Sequence, residues 1–147
     1  MKITMAAEYA VRCVLYLSSK GKGQLTSKKE IAEHTETPEN FLTKIAQDLA
    51  KADIIEIKQG AKGGYSLRYT PKDITMLAVI EAILGEITLN ECTTRPDVCK
   101  SSGTCSASLV WQLARDQLRS TLQKADFASL MAKGSCCTSP SPVTPGS

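Results

Sequence analysis

The sequence predicts a mainly α-helical fold with one small β-hairpin. Apolar residues recur at helical spacing in several segments, and two short β-branched or aromatic runs flank a glycine-rich turn. A long helix predicted over residues 106–131 completes the pattern. With 147 residues, of which 42% are hydrophobic, the chain is long enough for one domain with a real core, or for a small domain with an added helix.

Composition and charge disfavour several classes of protein. No apolar run reaches the roughly 18 residues that a membrane span needs, and Glu8 falls where a signal peptide would have its apolar stretch. We therefore expect a cytoplasmic protein without membrane contact. The net charge is +3, and residues 1–70 hold 11 Lys and Arg against 8 Asp and Glu, whereas residues 71–147 hold 7 of each kind. A basic excess confined to the N-terminal half is a weak indicator of a nucleic-acid partner.

The first helix is predicted over residues 4–17, and the glycines at 21 and 23 break the chain after it. One face of this helix carries apolar residues at helical spacing: Met5, Tyr9, Cys13, Tyr16 and Leu17. Cys13 lies within that face and is interpreted as a core residue, because free cysteine is among the most buried residue types.

Two further helices follow, joined by a tight turn. Ser27 and Glu30 fit a capping box at the start of the second helix. Thr37 suits the N-cap of the third helix and Pro38 its first position, and this helix extends to about Lys51.

The third helix has an apolar face and an opposite polar face. At 100° per residue, the apolar positions fall within about 100° of arc and are predicted to face the core; they are Phe41, Leu42, Ile45 and Leu49. The opposite side is rich in hydrogen-bond donors and cations: Asn40, Thr43, Lys44, Gln47 and Lys51.

A β-hairpin and an apolar helix come next. The strands are predicted over residues 54–58 and 65–69, and the tip between them, residues 59–64, is rich in glycine and carries Lys62. Pro71 ends the second strand, and a strongly apolar helix over residues 75–84 stops at Gly85.

The C-terminal part divides into a loop, a helix and a tail. The polar loop over residues 86–105 holds three of the six cysteines, and the Ser- and Pro-rich tail is predicted to be disordered. Apolar residues lie on more than one face of the helix between them, which favours packing against a second subunit; they are Leu109, Val110, Leu113, Leu118 and Leu122. The predicted organisation is a domain over 1–85, the cysteine loop over 86–105, a dimerisation helix over 106–132 and the tail over 133–147.

A short helix, a tight turn, a second helix and a hairpin is the element order of a winged helix-turn-helix. The polar face of the third helix supplies donors for base edges in the major groove, from Asn40, Thr43, Lys44 and Gln47. The glycine-rich tip lets Lys62 and bare backbone approach phosphates or enter the minor groove. This pattern predicts DNA binding, and the alternative is a solvated polar helix face beside an ordinary hairpin.

Three parts of the chain resemble a known family. They are the run Gly60-Ala61-Lys62-Gly63-Gly64-Tyr65 after the helix pair, the N-terminal Met1-Lys2-Ile3-Thr4 with Glu8-Tyr9-Ala10, and the three loop cysteines. Over about residues 1–130 the chain resembles the Rrf2 family of bacterial winged helix-turn-helix transcription regulators, of the IscR and NsrR type. The resemblance implies a homodimeric repressor or activator that uses the long helix as its dimer interface and binds a palindromic operator in double-stranded DNA.

The resemblance also implies DNA contacts for particular residues. Those on the third helix are Asn40, Phe41, Thr43 and Lys44, and those on the wing are Gln59, Gly60 and Lys62. Gln59 stands where the family often has an arginine, so this chain lacks the charge that would enter the minor groove at that position.

The loop cysteines are candidate metal ligands. Cys92, Cys99 and Cys105 are separated by six and five residues, and thiolates suit iron–sulfur clusters, zinc or copper(I). Structural zinc usually uses short Cys-x-x-Cys pairs, and this sequence has none. The spacing alone also allows a second interpretation, in which the three cysteines merely share a loop. The family resemblance implies an iron–sulfur cluster, 2Fe-2S or 4Fe-4S, although the first gap is one residue longer than is usual there. Cys136 and Cys137 in the tail are interpreted as unimportant, and the alternative is an accessory thiol switch.

The fourth ligand is left open by the sequence. Ser108 stands where IscR-type relatives have a histidine. The NsrR type implies a carboxylate near the N-terminus of the other subunit, and Glu8 occupies that position; its alternative role is that of a first-turn acid favoured by the helix dipole. His34, the one histidine, lies just before the third helix, where some relatives recruit a histidine, and its alternative is a solvent-facing position.

The resulting hypothesis is a non-enzymatic transcription regulator, with repression favoured, whose operator affinity depends on a cluster that senses redox state, nitric oxide or iron. Two alternatives stay open: a cluster-free winged-helix regulator that uses cysteine thiols or a small ligand, and an iron–sulfur carrier protein. An enzyme is disfavoured because the sequence has no phosphate loop, no Ser-His-Asp set and a single histidine.

Overall fold

A computed structural model describes residues 2–89 and 105–133. Within these ranges the chain forms helices and one two-stranded antiparallel sheet, in the order α1 (Met5–Lys20), α2 (Lys28–Thr35), α3 (Glu39–Lys51), β1 (Ile55–Lys58), β2 (Gly64–Leu67), a 3-10 helix (Pro71–Asp73), α4 (Met76–Leu84), α5 (Ser106–Lys124) and α6 (Phe127–Ala132). This confirms the predicted fold class. None of the described helices combines the length and the apolar character that crossing a membrane requires.

Helix α1 is the central element of the core. It contacts α2, α3, α4, α6 and strand β2. Its buried residues include Cys13, which is fully enclosed, so the interpretation of this cysteine as a core residue is confirmed. Met5 was predicted on the buried face but is 54% exposed, because it lies in the first turn, beyond the helices that cover the rest of α1.

The turn between α2 and α3 is held by local hydrogen bonds. The N–H of Thr37 donates to the Ala32 carbonyl at 3.1 Å, and its hydroxyl accepts from Thr35 at 2.8 Å. Thr37 is therefore committed to the end of α2, and the N-cap of α3 is Pro38. The prediction that Thr37 caps α3 is wrong by one residue.

The start of α2 follows the capping prediction in part. The Ser27 hydroxyl accepts from the N–H of Glu30 at 3.2 Å, as a capping box requires. The Glu30 carboxylate lies instead 3.9 Å from the ammonium of Lys20, at the end of α1. This exposed contact directs the Glu30 side chain toward α1 and away from the N–H of Ser27.

Helix α3 buries a narrower stripe than the sequence suggested. Leu42, Ile45 and Leu49 are buried as predicted. Phe41 was predicted to face the core but is 52% exposed. It lies at the edge of the apolar arc, so the core closes over its neighbours and leaves its ring at the surface.

The hairpin has a defined register. Ile55 pairs with Leu67 and Lys58 with Gly64, so the second strand ends at Leu67 and not at Pro71. Gly64 passes close to the chain before α2: a Cβ at this position would lie 2.1 Å from the Thr26 carbonyl oxygen. Only glycine fits this approach, which brings the hairpin against the entry to α2.

The predicted helix over 106–131, assigned to dimerisation over 106–132, is two helices. The chain turns at Asp126, where the Ala125 carbonyl accepts from Met76 at 2.8 Å and the N–H of Phe127 donates to Ile74 at 3.0 Å. The fully buried Phe127 then packs α6 into the core around α1. The single-helix prediction is wrong because these contacts with the segment before α4 end α5 and start α6.

Asp126 is expected to make the stability of the protein depend on pH in the acid range. Its carboxylate accepts from the N–H of Ser129 at 2.8 Å and from the Ser129 hydroxyl at 2.9 Å, and these bonds lower the pKa of the carboxyl. A lowered folded-state pKa gives stability that is complete above the unfolded value of about 4 and is lost as the pH falls through the folded value. We expect the Tm of Asp126→Asn to fall less than that of the wild type between pH 6 and pH 3, measured by circular dichroism. Parallel curves would contradict this assignment, since asparagine also caps helices but does not titrate.

Helix α5 has an inner face and an outer face. Leu118 and Leu122 pack inward against a small cluster of Leu77, Ile80 and Ile87. Leu109, Val110 and Leu113, all predicted to be apolar helix positions, are exposed. The outer face is apolar over the first two turns and polar beyond them.

Candidate nucleic-acid interface and cysteine segment

The exposed face of α3 presents the residues that the sequence predicted. Asn40, Lys44 and Gln47 are exposed, and Thr43 is half-buried. The Thr43 hydroxyl donates to the Glu39 carbonyl at 3.0 Å, which fixes its orientation. The face therefore offers amide and ammonium donors, which are the groups that hydrogen bond to base edges in a major groove.

The predicted wing residues lie at the tip of the hairpin. Gln59, Gly60 and Lys62 are exposed. Gly60 adopts a φ of +106°, a backbone conformation that favours glycine. The tip thus projects an ammonium group and an amide beside backbone that carries no side chain.

A groove of about 350 Å³ lies between α3 and the wing and is lined by residues of both. The two elements therefore form one continuous surface. Thr43 and Gln47 line it on the α3 side, and Gln59 and Gly60 line it on the wing side. The groove is also lined by residues that were not predicted as site residues, among them Ser27, Lys28 and Lys58. Lys58 could have been found from its place at the end of the first strand, but the groove itself depends on long-range contacts.

Tyr65 provides those contacts. Its N–H donates to the Thr26 carbonyl at 2.8 Å, and its carbonyl accepts from the N–H of Thr26 at 2.9 Å. Burial raises the pKa of its phenol, while the Thr43 side chain acts in the opposite direction. The phenol is therefore neutral at physiological pH and lies between the wing and α3.

Glu8 has a partner within its own subunit. Its carboxylate pairs with the Arg12 guanidinium at 2.5 Å, one turn along α1. Arg12 also reaches the Thr35 carbonyl at 3.5 Å, at the end of α2. Glu8 is thus a partly exposed carboxylate in an ion pair, and ligation of a metal by Glu8 would require it to leave Arg12.

His34 lies away from Glu8 along α1. Its ring stacks on Tyr16 with centroids 5.0 Å apart, and its Nδ1 lies 2.9 Å from the Glu30 carbonyl. Tyr16 is eight residues beyond Glu8, which corresponds to about 12 Å along a helix. Within one subunit the structure does not bring these two candidate ligands together.

Cys105 is the loop cysteine that the structure describes, whereas Cys92, Cys99, Cys136 and Cys137 lie outside the described residues. It is half-buried and directly precedes α5 as its N-cap. Three residues on, Ser108 is buried, and its hydroxyl accepts from the Gln112 amide at 3.4 Å. Among the described residues, no three His, Cys, Asp or Glu side chains are arranged to hold a metal ion.

The start of the cysteine loop, which was predicted over residues 86–105, is anchored to α5. The Glu81 carboxylate, on α4, accepts from the N–H of Ile87 at 3.2 Å and pairs with the Arg119 guanidinium on α5. Ile87 is itself buried. One side chain therefore links Ile87, at the start of the cysteine loop, to the helix after that loop.

Comparisons with known proteins agree with this geometry. The family model Rrf2, described as an iron-dependent transcriptional regulator, matches residues 3–133. The protein rrf2 of Nitratidesulfovibrio vulgaris is 29% identical over 93% of this chain and 91% of its own length, and the HTH-type transcriptional regulator NsrR of Halalkalibacterium halodurans is 34% identical over 63% of each. The structure of CymR, the global cysteine regulator of B. subtilis, superposes with a TM-score of 0.74 at 24% identity and covers 91% of this chain and 98% of CymR. The chain therefore belongs to the Rrf2 family of winged-helix transcription regulators.

Proposed function

We propose that the protein is a cytoplasmic homodimer that represses transcription by binding a palindromic operator, under the control of an iron–sulfur cluster. The observation that carries the DNA-binding part is the continuous surface formed by α3, the groove and the wing. A helix and a hairpin that enter adjacent grooves straddle one strand of the phosphate backbone. Ser27, Lys28 and Lys58 line that groove and would face the backbone.

Lys62 is expected to contact a phosphate and not a base. The change Lys62→Ala should weaken binding to all duplexes by a similar factor and reduce the slope of log K against log salt by about two, which is about one for each wing of the dimer. Fluorescence anisotropy at several salt concentrations measures this slope. The matched control is Lys133→Ala, an exposed lysine just after α6, which should leave the slope unchanged. A wild-type slope for Lys62→Ala would remove the wing from the interface.

The outer face of α5 supports the homodimer. Leu109, Val110 and Leu113 are each more than half exposed, whereas the residues that continue this face are polar. A contiguous apolar patch on a helix is typical of a protein–protein interface. A second copy that binds there would place the two α3 helices at a fixed separation, as a palindromic operator requires.

The described residues are compatible with a cluster ligand set. Cys105 is half-buried and directly precedes α5, and cysteine sulfur is a soft ligand that suits iron–sulfur clusters. Glu8 offers a partly exposed carboxylate, and Arg12 would compete with the metal for it. We propose Cys92, Cys99 and Cys105 as ligands, with Glu8 of the partner subunit as the fourth. A bound 2Fe-2S or 4Fe-4S cluster would supply a redox- and nitric-oxide-reactive group.

The contacts of Glu81 offer a route by which the cysteine segment could influence DNA binding. Ile87, at the start of the cysteine loop, donates to Glu81, and Glu81 pairs with Arg119 of α5. A change within the segment would therefore act on the helix that carries the proposed dimer face. A coupling of about 1–3 kcal/mol between cluster state and dimer geometry changes operator affinity roughly 5- to 150-fold.

Anaerobic purification tests the cluster directly. We expect a coloured protein with near-stoichiometric iron and acid-labile sulfide, whose visible absorption is bleached by oxygen or nitric oxide. A colourless protein that still dimerises and binds a palindromic duplex would replace the cluster with thiol or small-ligand control. A coloured protein that protects no specific sequence in DNA footprinting would instead favour an iron–sulfur carrier.

A further inference from the structure

Tyr65 is a buried tyrosine of β2 that contacts three other parts of the DNA-binding half. Its side chain is 6% exposed, and its backbone pairs with Ile57 of β1 and with Thr26, just before α2. Its phenol interacts with the Thr43 side chain of α3, and both residues line the groove between α3 and the wing. The wing, the entry to α2 and α3 are therefore connected through this residue.

The backbone contacts of Tyr65 fix the position of its ring. Two hydrogen bonds of 2.8 and 2.9 Å join its backbone to that of Thr26, and the preceding Gly64 passes the Thr26 carbonyl oxygen so closely that only glycine fits. Successive side chains of a strand point to opposite faces, so a shift of register by one residue would take the phenol away from α3. The ring thus has one position relative to α2 and α3.

The Thr43 hydroxyl is suited to accept a hydrogen bond from this phenol. It donates its single hydrogen to the Glu39 carbonyl at 3.0 Å, which leaves the lone pairs of its oxygen as acceptors. A neutral phenol is a donor for such an oxygen. Threonine in a helix divides between two χ1 rotamers, one of which bonds the carbonyl one turn back. A donor at the oxygen would favour that rotamer and so fix the side chain.

We propose that Tyr65 is a positioning residue for DNA recognition, whose phenol donates a hydrogen bond to Thr43, holds Thr43 in one rotamer and fixes the wing against α3. This inference rests on the proposed DNA-binding function. A surface that is already ordered before binding loses less conformational entropy on association than one that must be ordered by the DNA. Because Tyr65 is buried, it would act through Thr43 and the wing.

A double-mutant cycle in the full chain tests this role. Tyr65→Phe removes the phenol oxygen and keeps the ring, and Thr43→Val removes the hydroxyl and keeps the branched shape. Wild-type protein first selects its site from a random-sequence double-stranded library, and fluorescence anisotropy then measures binding to this site and to an unrelated duplex. We expect Tyr65→Phe to weaken binding to the selected site about 10-fold, because each subunit of the dimer loses the hydrogen bond. Binding to the unrelated duplex should change less than about twofold.

The second half of the cycle shows whether the phenol acts through Thr43. In a Thr43→Val protein, Tyr65→Phe should weaken binding to the selected site by less than about twofold, because its partner is already gone. The matched control is Tyr16→Phe on α1, which removes a phenol oxygen from a ring that stacks on His34, and it should leave both affinities near wild type.

Three results would overturn the inference while leaving DNA binding intact. They are wild-type affinity of Tyr65→Phe for the selected site, equal weakening on both duplexes, and a full effect of Tyr65→Phe in the Thr43→Val protein. Equal weakening would mean that the phenol only supports the fold of the wing. A wild-type protein that enriches no common sequence would overturn the proposed function and this inference together.

Discussion

Replacing Cys105 with alanine is expected to give a colourless protein with no more than residual iron and sulfide after anaerobic purification. Cys105 is the half-buried N-cap of α5, and alanine there removes the thiolate while leaving the helix intact, since no side-chain bond from Cys105 caps it. A cluster that loses one of three thiolates loses its strongest type of ligand. Visible absorption with iron and sulfide analysis measures the loss.

Two controls separate ligation from a general loss of cysteine. Cys13→Ala changes a thiol that is fully enclosed in the core, so it should lower stability while keeping the chromophore. The double change Cys136→Ala and Cys137→Ala should keep both. If Cys105→Ala retained full iron and sulfide, the ligand assignment would be wrong. The operator affinity of Cys105→Ala should also shift to that of wild-type protein stripped of iron, because both proteins would lack the cluster.

The elements that the sequence predicts well are those set by local signals. Ser27 accepts the amide bond that its capping box specifies, and Gly85 ends α4 where it was expected. The polar face of α3 is exposed because its side chains alternate with the core stripe at helical period. Fold class and the reading face follow from such patterns.

The predictions that are wrong concern positions where tertiary contacts determine burial or the end of a helix. Phe41 lies at the boundary of an arc, and periodicity cannot say on which side of the boundary the core closes. The break at Asp126 had a local signal, an N-cap acid three residues before Ser129, but the bonds that enforce it come from Ile74 and Met76. Helical periodicity alone continues through such a break.

The groove beside the wing could not have been found from the sequence either. It exists because Tyr65 pairs through its backbone with Thr26, a residue 39 positions earlier. Gly64 permits the approach, and its role is visible only once the Thr26 carbonyl is seen beside it. Long-range backbone pairing of this kind leaves no periodic trace in the sequence.

Replacing Leu113 with glutamate is expected to turn a dimer into a monomer and to weaken operator binding by about 100-fold or more. Leu113 is 64% exposed on the outer face of α5, so the change costs the isolated subunit little. In a dimer it would bury two unpaired carboxylates at the centre of an apolar contact. Separate monomers lose the gain in affinity that a dimer has from binding both half-sites at once. This gain is commonly 10²–10⁴-fold.

Sedimentation and binding to matched duplexes distinguish a broken dimer from a damaged reading surface. Gln117→Glu adds the same charge one turn further along the same face, beyond the apolar patch, and should leave the mass and the affinity near wild type. Leu113→Glu should bind a single half-site as wild-type subunits do, because the Leu113 side chain is exposed and α5 packs on α4. A Leu113→Glu protein that sediments as a dimer would place the partner elsewhere on the molecule, and the arrangement of two reading helices would have to be built from a different surface.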